Sequence, residues 1–149
     1  MIKIVEIICA LQNGGVETML YNYLCNIDKK DYEIDIIAYG KANEIIKKRF
    51  ENIGCRIIEI TPKKTNLRKS LKELYSFLKE GNYDIVHTHM NINNSIPLVF
   101  AKILKIPKRI SHSHAAKDTR QCLKKIYEQI NKFIIRILAN QYLACGEEA

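Results

Sequence analysis

The four histidines of this chain fall into two His-x-His pairs, His87/His89 and His112/His114. Each pair closes a short run that reads as a strand, Tyr83 to His89 and Arg109 to His114. Residues two apart on a strand point to one face, so each pair sets two imidazoles side by side. Such rings can ligate a metal, hydrogen-bond within the fold, or bind a polar ligand. Metal hydrolysis would normally add a nearby carboxylate, and neither Met90–Asn93 nor Ala115–Lys117 offers one. Asp118 is the one near candidate, and it fits a helix cap better. Thr88, Asn91, Asn93, Asn94, Ser111 and Ser113 crowd the pairs in sequence. This density of neutral donors and acceptors suits a hydroxyl-rich or phosphorylated ligand. We assign that pocket role to one histidine of each pair and a structural role to the others.

The second chemical feature is Asn13-Gly14-Gly15, between the first strand and the first helix. Glycine permits positive φ and close approach of a ligand to the backbone. The helix behind it offers unpaired N–H groups at a positive dipole end, which suits a diphosphate. The same residues also suit a plain strand-to-helix turn. Gly-x-Gly-x-x-Gly and Gly-x-x-x-x-Gly-Lys-Ser/Thr are both missing, which argues against a nicotinamide dehydrogenase and a P-loop NTPase. Glu17, in the first turn of the helix, complements the dipole.

Alternating periods position these residues. Strands are expected at Ile2–Ile8, Glu33–Tyr39, Arg56–Ile60, Tyr83–His89, Arg109–His114 and Tyr142–Cys145. Between them, helical stripes run from Val16 to Ile27, Asn43 to Ile53, Leu67 to Leu78 and Ser95 to Leu104. A long helix follows a capping-box-like Asp118/Gln121 start, with Leu123, Ile126, Tyr127, Ile130, Phe133, Ile134, Ile137 and Leu138 as its stripe. Strict alternation predicts an α/β fold: a Rossmann-like, three-layer α/β/α domain with a mostly parallel sheet. The commonest strand order, 3-2-1-4-5-6, sets the glycine loop and His87/His89 on either side of the switch crevice. It places His112/His114 one strand further, about 5 Å away.

A chain of 149 residues, 47% apolar and 27% charged, supports one domain with a real core. The net charge of +8 favours anionic partners. Arg120, Lys124, Lys132 and Arg136 form a basic stripe on the long helix, with Lys125 beside it. Lys63, Lys64, Arg68, Lys69 and Lys72 form a second cluster. These suit a solvated surface or peripheral contact with an anionic membrane. Without a recognised motif or interleaved aromatics, no nucleic-acid partner is expected. Five cysteines without a Cys-x-x-Cys read as reduced, mostly buried thiols of a cytoplasmic protein. No apolar run reaches the length of a membrane span, and the first residues read as a strand rather than a signal peptide.

Four segments carry a resemblance. Asn13-Gly14-Gly15-Val16-Glu17 resembles the Gly-Gly-x-Glu loop of the retaining glycosyltransferases of family 4, which have the GT-B architecture. Tyr83–His89 resembles their strand ending in His-Thr-His, and Arg109–Ala115 the following strand of the capsular and exopolysaccharide branch. Tyr142–Ala149 resembles the strand leading into their interdomain region. The resemblance implies an N-terminal, acceptor-side domain of a two-domain enzyme that moves a sugar from a nucleotide-sugar donor to a glycan or lipid-linked acceptor in surface polysaccharide synthesis. It implies retention of anomeric configuration, no cofactor and no metal, in keeping with the missing Asp-x-Asp. Gly14 and Gly15 would approach the donor diphosphate, and His112 or His114 would line the reaction centre. His87, His89, Asn91 and Asn94 are the expected acceptor-side residues.

The sequence stops at Ala149, where the resemblance calls for a donor-binding domain. The expectation is therefore a single domain over 1–149, inactive by itself because the reacting groups must be oriented from both sides of a cleft. The alternatives are a stand-alone, non-enzymatic sugar- or phosphate-binding module and, third, a metal-dependent hydrolase.

Overall fold

A computed structural model describes residues 1–114 and 122–146 of the chain, with the side chains of 122–124 left out. The expected Asp118/Gln121 cap and the loop 115–119 lie outside the described residues. Six strands form one parallel sheet: β1 (Ile2–Ile8), β2 (Tyr32–Tyr39), β3 (Cys55–Ile60), β4 (Ile85–Thr88), β5 (Lys108–Ser113) and β6 (Gln141–Ala144). Their order is β3-β2-β1-β4-β5-β6, as the alternation predicts. Five helices connect them: α1 (Gly15–Cys25), α2 (Glu44–Asn52), α3 (Leu67–Gly81), α4 (Ser95–Ile103) and α5 (Cys122–Leu138).

The strands at the centre are buried on both faces, so β1 and β2 read as near-continuous β-branched runs. Ile4, Ile8, Ile34 and Ile36 pack under Leu20 and Leu24 of α1 and Phe50 of α2. Val5, Ile7 and Ile37 pack on the other face under Leu74 and Leu78 of α3 and Ala101 of α4. Each such aliphatic side chain removed from water contributes about 1.5–3 kcal/mol. Asn43 caps α2 by accepting from the Ile45 and Ile46 N–H groups, and Asn66 caps α3 by accepting from Lys69 N–H.

Two elements differ from expectation. Strand β4 ends at Thr88, yet His89 N–H still donates to Ile7 O at 2.9 Å, so the pairing with β1 runs one residue further. Beyond it, Asn91–Asn94 form a 3₁₀ turn entered through Asn91 at φ 53°, a left-handed conformation that asparagine tolerates. In α5 the apolar stripe faces outward: Ile126, Ile130, Phe133 and Ile137 are exposed. The helix docks on α4 through its polar side instead, where Glu128 and Asn131 are buried. Asn131 accepts from Ser95 Oγ and donates to Tyr127 O, so hydrogen bonds rather than aliphatic contacts fix its rotation.

Candidate functional site

The parallel register dictates the site. Glu6 pairs with His87, and His87 with Ile110, so Glu6, His87, His89, His112 and His114 share one sheet face. His112 pairs with Leu143, which puts Cys145 on the same face two residues further on. Around the carboxyl ends of β4, β5 and β6 these six side chains close into a ring, with Glu6, His87 and His112 inside their strands and His89, His114 and Cys145 just past theirs. His87 Nδ1 and His89 Nε2 both bond Glu6 Oε2, at 3.0 and 2.7 Å. His87 Nε2 meets His112 Nδ1 at 3.3 Å, and His89 Nδ1 meets His114 Nε2 at 2.9 Å. The circuit closes on Cys145 Sγ, 3.4 Å from His112 Nε2 and 3.0 Å from His114 Nδ1.

The electrostatics orient this ring. Burial alone would push the Glu6 carboxyl up, but hydrogen bonds and charge from His87 and His89 outweigh it and hold Glu6 at about 2. Burial pushes His89 down, against the pull of Glu6. His112 and His114 fall to about 4, first by burial and then by the neighbouring imidazoles. An ionised Glu6 fixes two donors of the ring. His87 must carry its proton on Nδ1 and His89 on Nε2, because a carboxylate only accepts. With both of these rings neutral, their remaining nitrogens accept, and His112 then carries its proton on Nδ1 and His114 on Nε2. His112 Nε2 and His114 Nδ1 are left as bare lone pairs, both aimed at one sulfur.

Asparagines brace the ring. Asn94 is buried; its Oδ1 accepts from Met90 N–H and its Nδ2 donates to Ser111 Oγ and His112 O. Asn91 Oδ1 accepts from His114 N–H at 2.8 Å. Both residues therefore fix the backbone that carries the histidines. His87 is 15% exposed at its side chain and His89 fully buried, so His89 acts on a ligand only through its neighbours.

The glycine loop follows β1, the strand beside β4, at the same carboxyl edge of the sheet. Gly14 has φ −143° and neither glycine is left-handed, so positive φ is not why they stand there. A Cβ on Gly14 would come 2.6 Å from Glu17 Oε2, and Glu17 Oε1 accepts from Gln12 N–H to tie the loop. Gly15 is exposed, with open space where a Cβ would sit. Gly14 is the N-cap of α1 without a side-chain cap, and the loop lines an open cavity of about 550 Å³ with Asn13, Thr18 and Tyr23. The histidines do not line that cavity.

The profile of Glycosyltransferase Family 4 matches residues 13–146, which includes the glycine loop, all four histidines and Cys145. The chain belongs to this family. It is 24% identical over 151 aligned residues to EpsF of Bacillus subtilis, described as a glycosyltransferase, covering 99% of this chain and 39% of EpsF. It is 23% identical over 138 residues to the capsular polysaccharide biosynthesis glycosyltransferase CapH of Staphylococcus aureus, covering 93% of this chain and 38% of CapH. The chain thus spans about two fifths of the length of the curated relatives it matches. The fold is that of Anabaena HepE, solved in complex with UDP (TM-score 0.63, 12% identity, 95% of this chain and 37% of HepE). It is also that of a Listeria monocytogenes protein assigned as a UDP-N-acetylglucosamine 2-epimerase (TM-score 0.60, 13% identity, 99% of this chain and 39% of that one). One fold serving a transferase family and an epimerase leaves the chemistry to side chains.

In this family-4 domain the sequence pairs do converge: His87, His89, His112 and His114 form one cluster. Two members of the ring were not expected. Glu6 supplies the carboxylate that the residues flanking the histidines lack. Its signal was present: a lone acid inside the Ile2–Ile8 run, on a strand buried on both faces, requires a partner. Cys145 was read with the other cysteines as mostly buried. Among the described cysteines, Cys9, Cys25 and Cys145 are exposed and only Cys55 is buried. Cys9 and Cys145 follow strand ends and Cys25 ends α1, rather than filling core positions.

Proposed function

We propose that this chain is the acceptor-side half of a retaining glycosyltransferase that moves a sugar from a nucleotide-sugar to a glycan or lipid-linked acceptor in surface polysaccharide synthesis. One observation carries the reading: a carboxylate-held histidine cluster and an open, uncapped Gly-Gly helix start lie past adjacent strands of one sheet edge. Gly14 and Gly15 give the donor diphosphate backbone N–H groups and room to approach. His114, only half-buried, presents a neutral lone pair at the reaction centre, and His112 backs it. That lone pair accepts a hydrogen bond from a sugar hydroxyl, which an imidazolium would not do. His87 and Asn91 border the acceptor side, while His89 and Asn94 hold them in place. Transfer needs no metal on the diphosphate, because α1 and the loop supply the positive dipole end.

The test uses the whole protein containing this chain, with a panel of nucleotide-sugars and glycan or lipid-linked acceptors. Turnover should retain anomeric configuration by NMR, persist in EDTA, and fall about 100-fold or more in His114→Ala. Turnover by residues 1–149 alone, or an inverted product, would overturn the reading.

A membrane location fits the same proposal. The outward stripe Ile126, Ile130, Phe133 and Ile137 is flanked by exposed Lys125, Lys132 and Arg136. An apolar helix face beside cations suits peripheral contact with an anionic bilayer at its cytoplasmic face. No described helix is long and apolar enough to cross a membrane. Anionic vesicles should co-sediment the protein and neutral ones should not; equal binding to both at low salt removes the idea.

A further inference from the structure

We propose that His112, His114 and Cys145 form a binding site for a borderline-soft divalent transition metal, of which zinc is the type. The site goes beyond glycosyl transfer: the ion takes the His114 lone pair that a sugar hydroxyl would use, so the two bind in competition. Two sets of side chains come close enough to hold an ion: His87/His89/His112 and His112/His114/Cys145, each with one donor atom per residue within 4.8 Å of the others. The hydrogen-bond connectivity of the ring separates them. In the first set, the Nδ1 of His87 and the Nε2 of His89 are committed to Glu6, and their other nitrogens pair with His112 and His114. A metal there would have to break the ring. In the second set, His112 Nε2 and His114 Nδ1 both face the Cys145 sulfur, and a single thiol hydrogen can satisfy only one of them. An ion held by the sulfur would engage both nitrogens at once.

The geometry agrees. Tetrahedral zinc with ordinary N and S bond lengths sets sulfur and nitrogen about 3.5 Å apart. The two sulfur–nitrogen separations here are 3.4 and 3.0 Å, so of these the His114 one must widen. Binding balances simply: the Cys145 thiol loses its proton to solvent, the thiolate and the two imidazole lone pairs bind the ion, and water takes the fourth position. Each ligating imidazole donates its other N–H to a further imidazole, and both lines end on Glu6. That is the outer support that orients histidine ligands and raises their basicity. Cys145 is exposed and His114 half-exposed, which gives the ion a route in from solvent.

Cobalt(II) titration into this chain, reduced and then freed of metal and reductant, reads the site directly. One equivalent should give intense visible bands of a tetrahedral ion and a near-ultraviolet thiolate-to-cobalt band, and zinc should displace it. Cys145→Ser, at an exposed position, should remove the thiolate band and weaken zinc binding at least tenfold. Glu6→Gln should weaken it about 10–100-fold while keeping the band. Absence of one-to-one binding in competition with a micromolar chelator would overturn the proposal. So would an unchanged thiolate band in Cys145→Ser, which would place the ion elsewhere. None of these outcomes depends on sugar transfer: an active whole protein with no metal site, and an inactive one with it, remain distinguishable.

Discussion

Two buried acids sit on neighbouring strands, Glu6 on β1 and Asp35 on β2, and they are used in opposite ways. Asp35 pairs with Val5 in the register, so it faces the side away from Glu6. Its partners are Arg56 across on β3, with Nε 2.9 Å from Oδ1, and the Tyr83 hydroxyl. Hydrogen bonding to Asp35 pushes Arg56 up, and burial together with its own hydrogen bond to Asp35 pushes Tyr83 up. Neither changes charge in ordinary buffers, so the pair locks β2 to β3 in a single state. Glu6 is bonded by imidazoles instead, and those lead through two further imidazoles to an exposed thiol. A buried acid that ends in a permanent cation is architecture. A buried acid whose hydrogen bonds run out to solvent through groups with lone pairs is a site.

That contrast can be broken by substitution. Arg56→Met leaves Asp35 buried beside a lone hydroxyl and should cost about 2 kcal/mol by urea denaturation. This is below the ~3–5 kcal/mol of a fully buried pair, since the guanidinium is mostly exposed. It should leave the histidine ring untouched, with unchanged ring-nitrogen shifts. Glu6→Gln should cost less, about 1–2 kcal/mol, because the amide keeps the volume and one acceptor oxygen. It should nevertheless lower transfer by the whole protein about tenfold or more, by releasing the proton arrangement of all four histidines. If the stability costs were reversed and only Arg56→Met impaired transfer, the assignment of the two acids would be wrong.

Acid sharpens the same comparison. His89, His112 and His114 are depressed in the folded state, so between pH 6.5 and about 4 the unfolded chain binds more protons. Stability should therefore fall as pH falls through that window. Glu6 is depressed from 4.5 to about 2, so its contribution is whole above 4.5 and disappears as pH drops through 2. Thermal melts in metal-free buffer should show both stages, and Glu6→Gln should lose the second. The smallest effect belongs to Cys145→Ser, which at an exposed strand end should change stability by less than about 0.5 kcal/mol.

Much of this was legible in the order of residues. Strand β1 has the bounds its β-branched run implies, and the doubly wound order follows from alternation. The His-x-His spacing placed four imidazoles at one edge before any coordinates. Glu6 and Asp35 escaped because their partners lie on other strands, and a pass for apolar periods absorbs a single acid into the run around it. Asn91 and Asn94 look like ligand donors in sequence; the contacts add that the Asn94 amide is spent on Met90, Ser111 and His112, and that Asn91 Oδ1 accepts from His114 N–H. The outward stripe of α5 is likewise invisible to periodicity, which finds an apolar face without saying what it meets.

The central physical claim is that Glu6 sets the proton position on every histidine of the ring. Long-range proton–nitrogen correlation NMR of the histidine side chains, at pH 7.5 and without metal, measures this directly. The expected spectrum has His87 and His112 protonated at Nδ1, His89 and His114 at Nε2, and this pattern scrambled in Glu6→Gln. An imidazolium at His112 or His114, or the same pattern in the wild type and in Glu6→Gln, would contradict it.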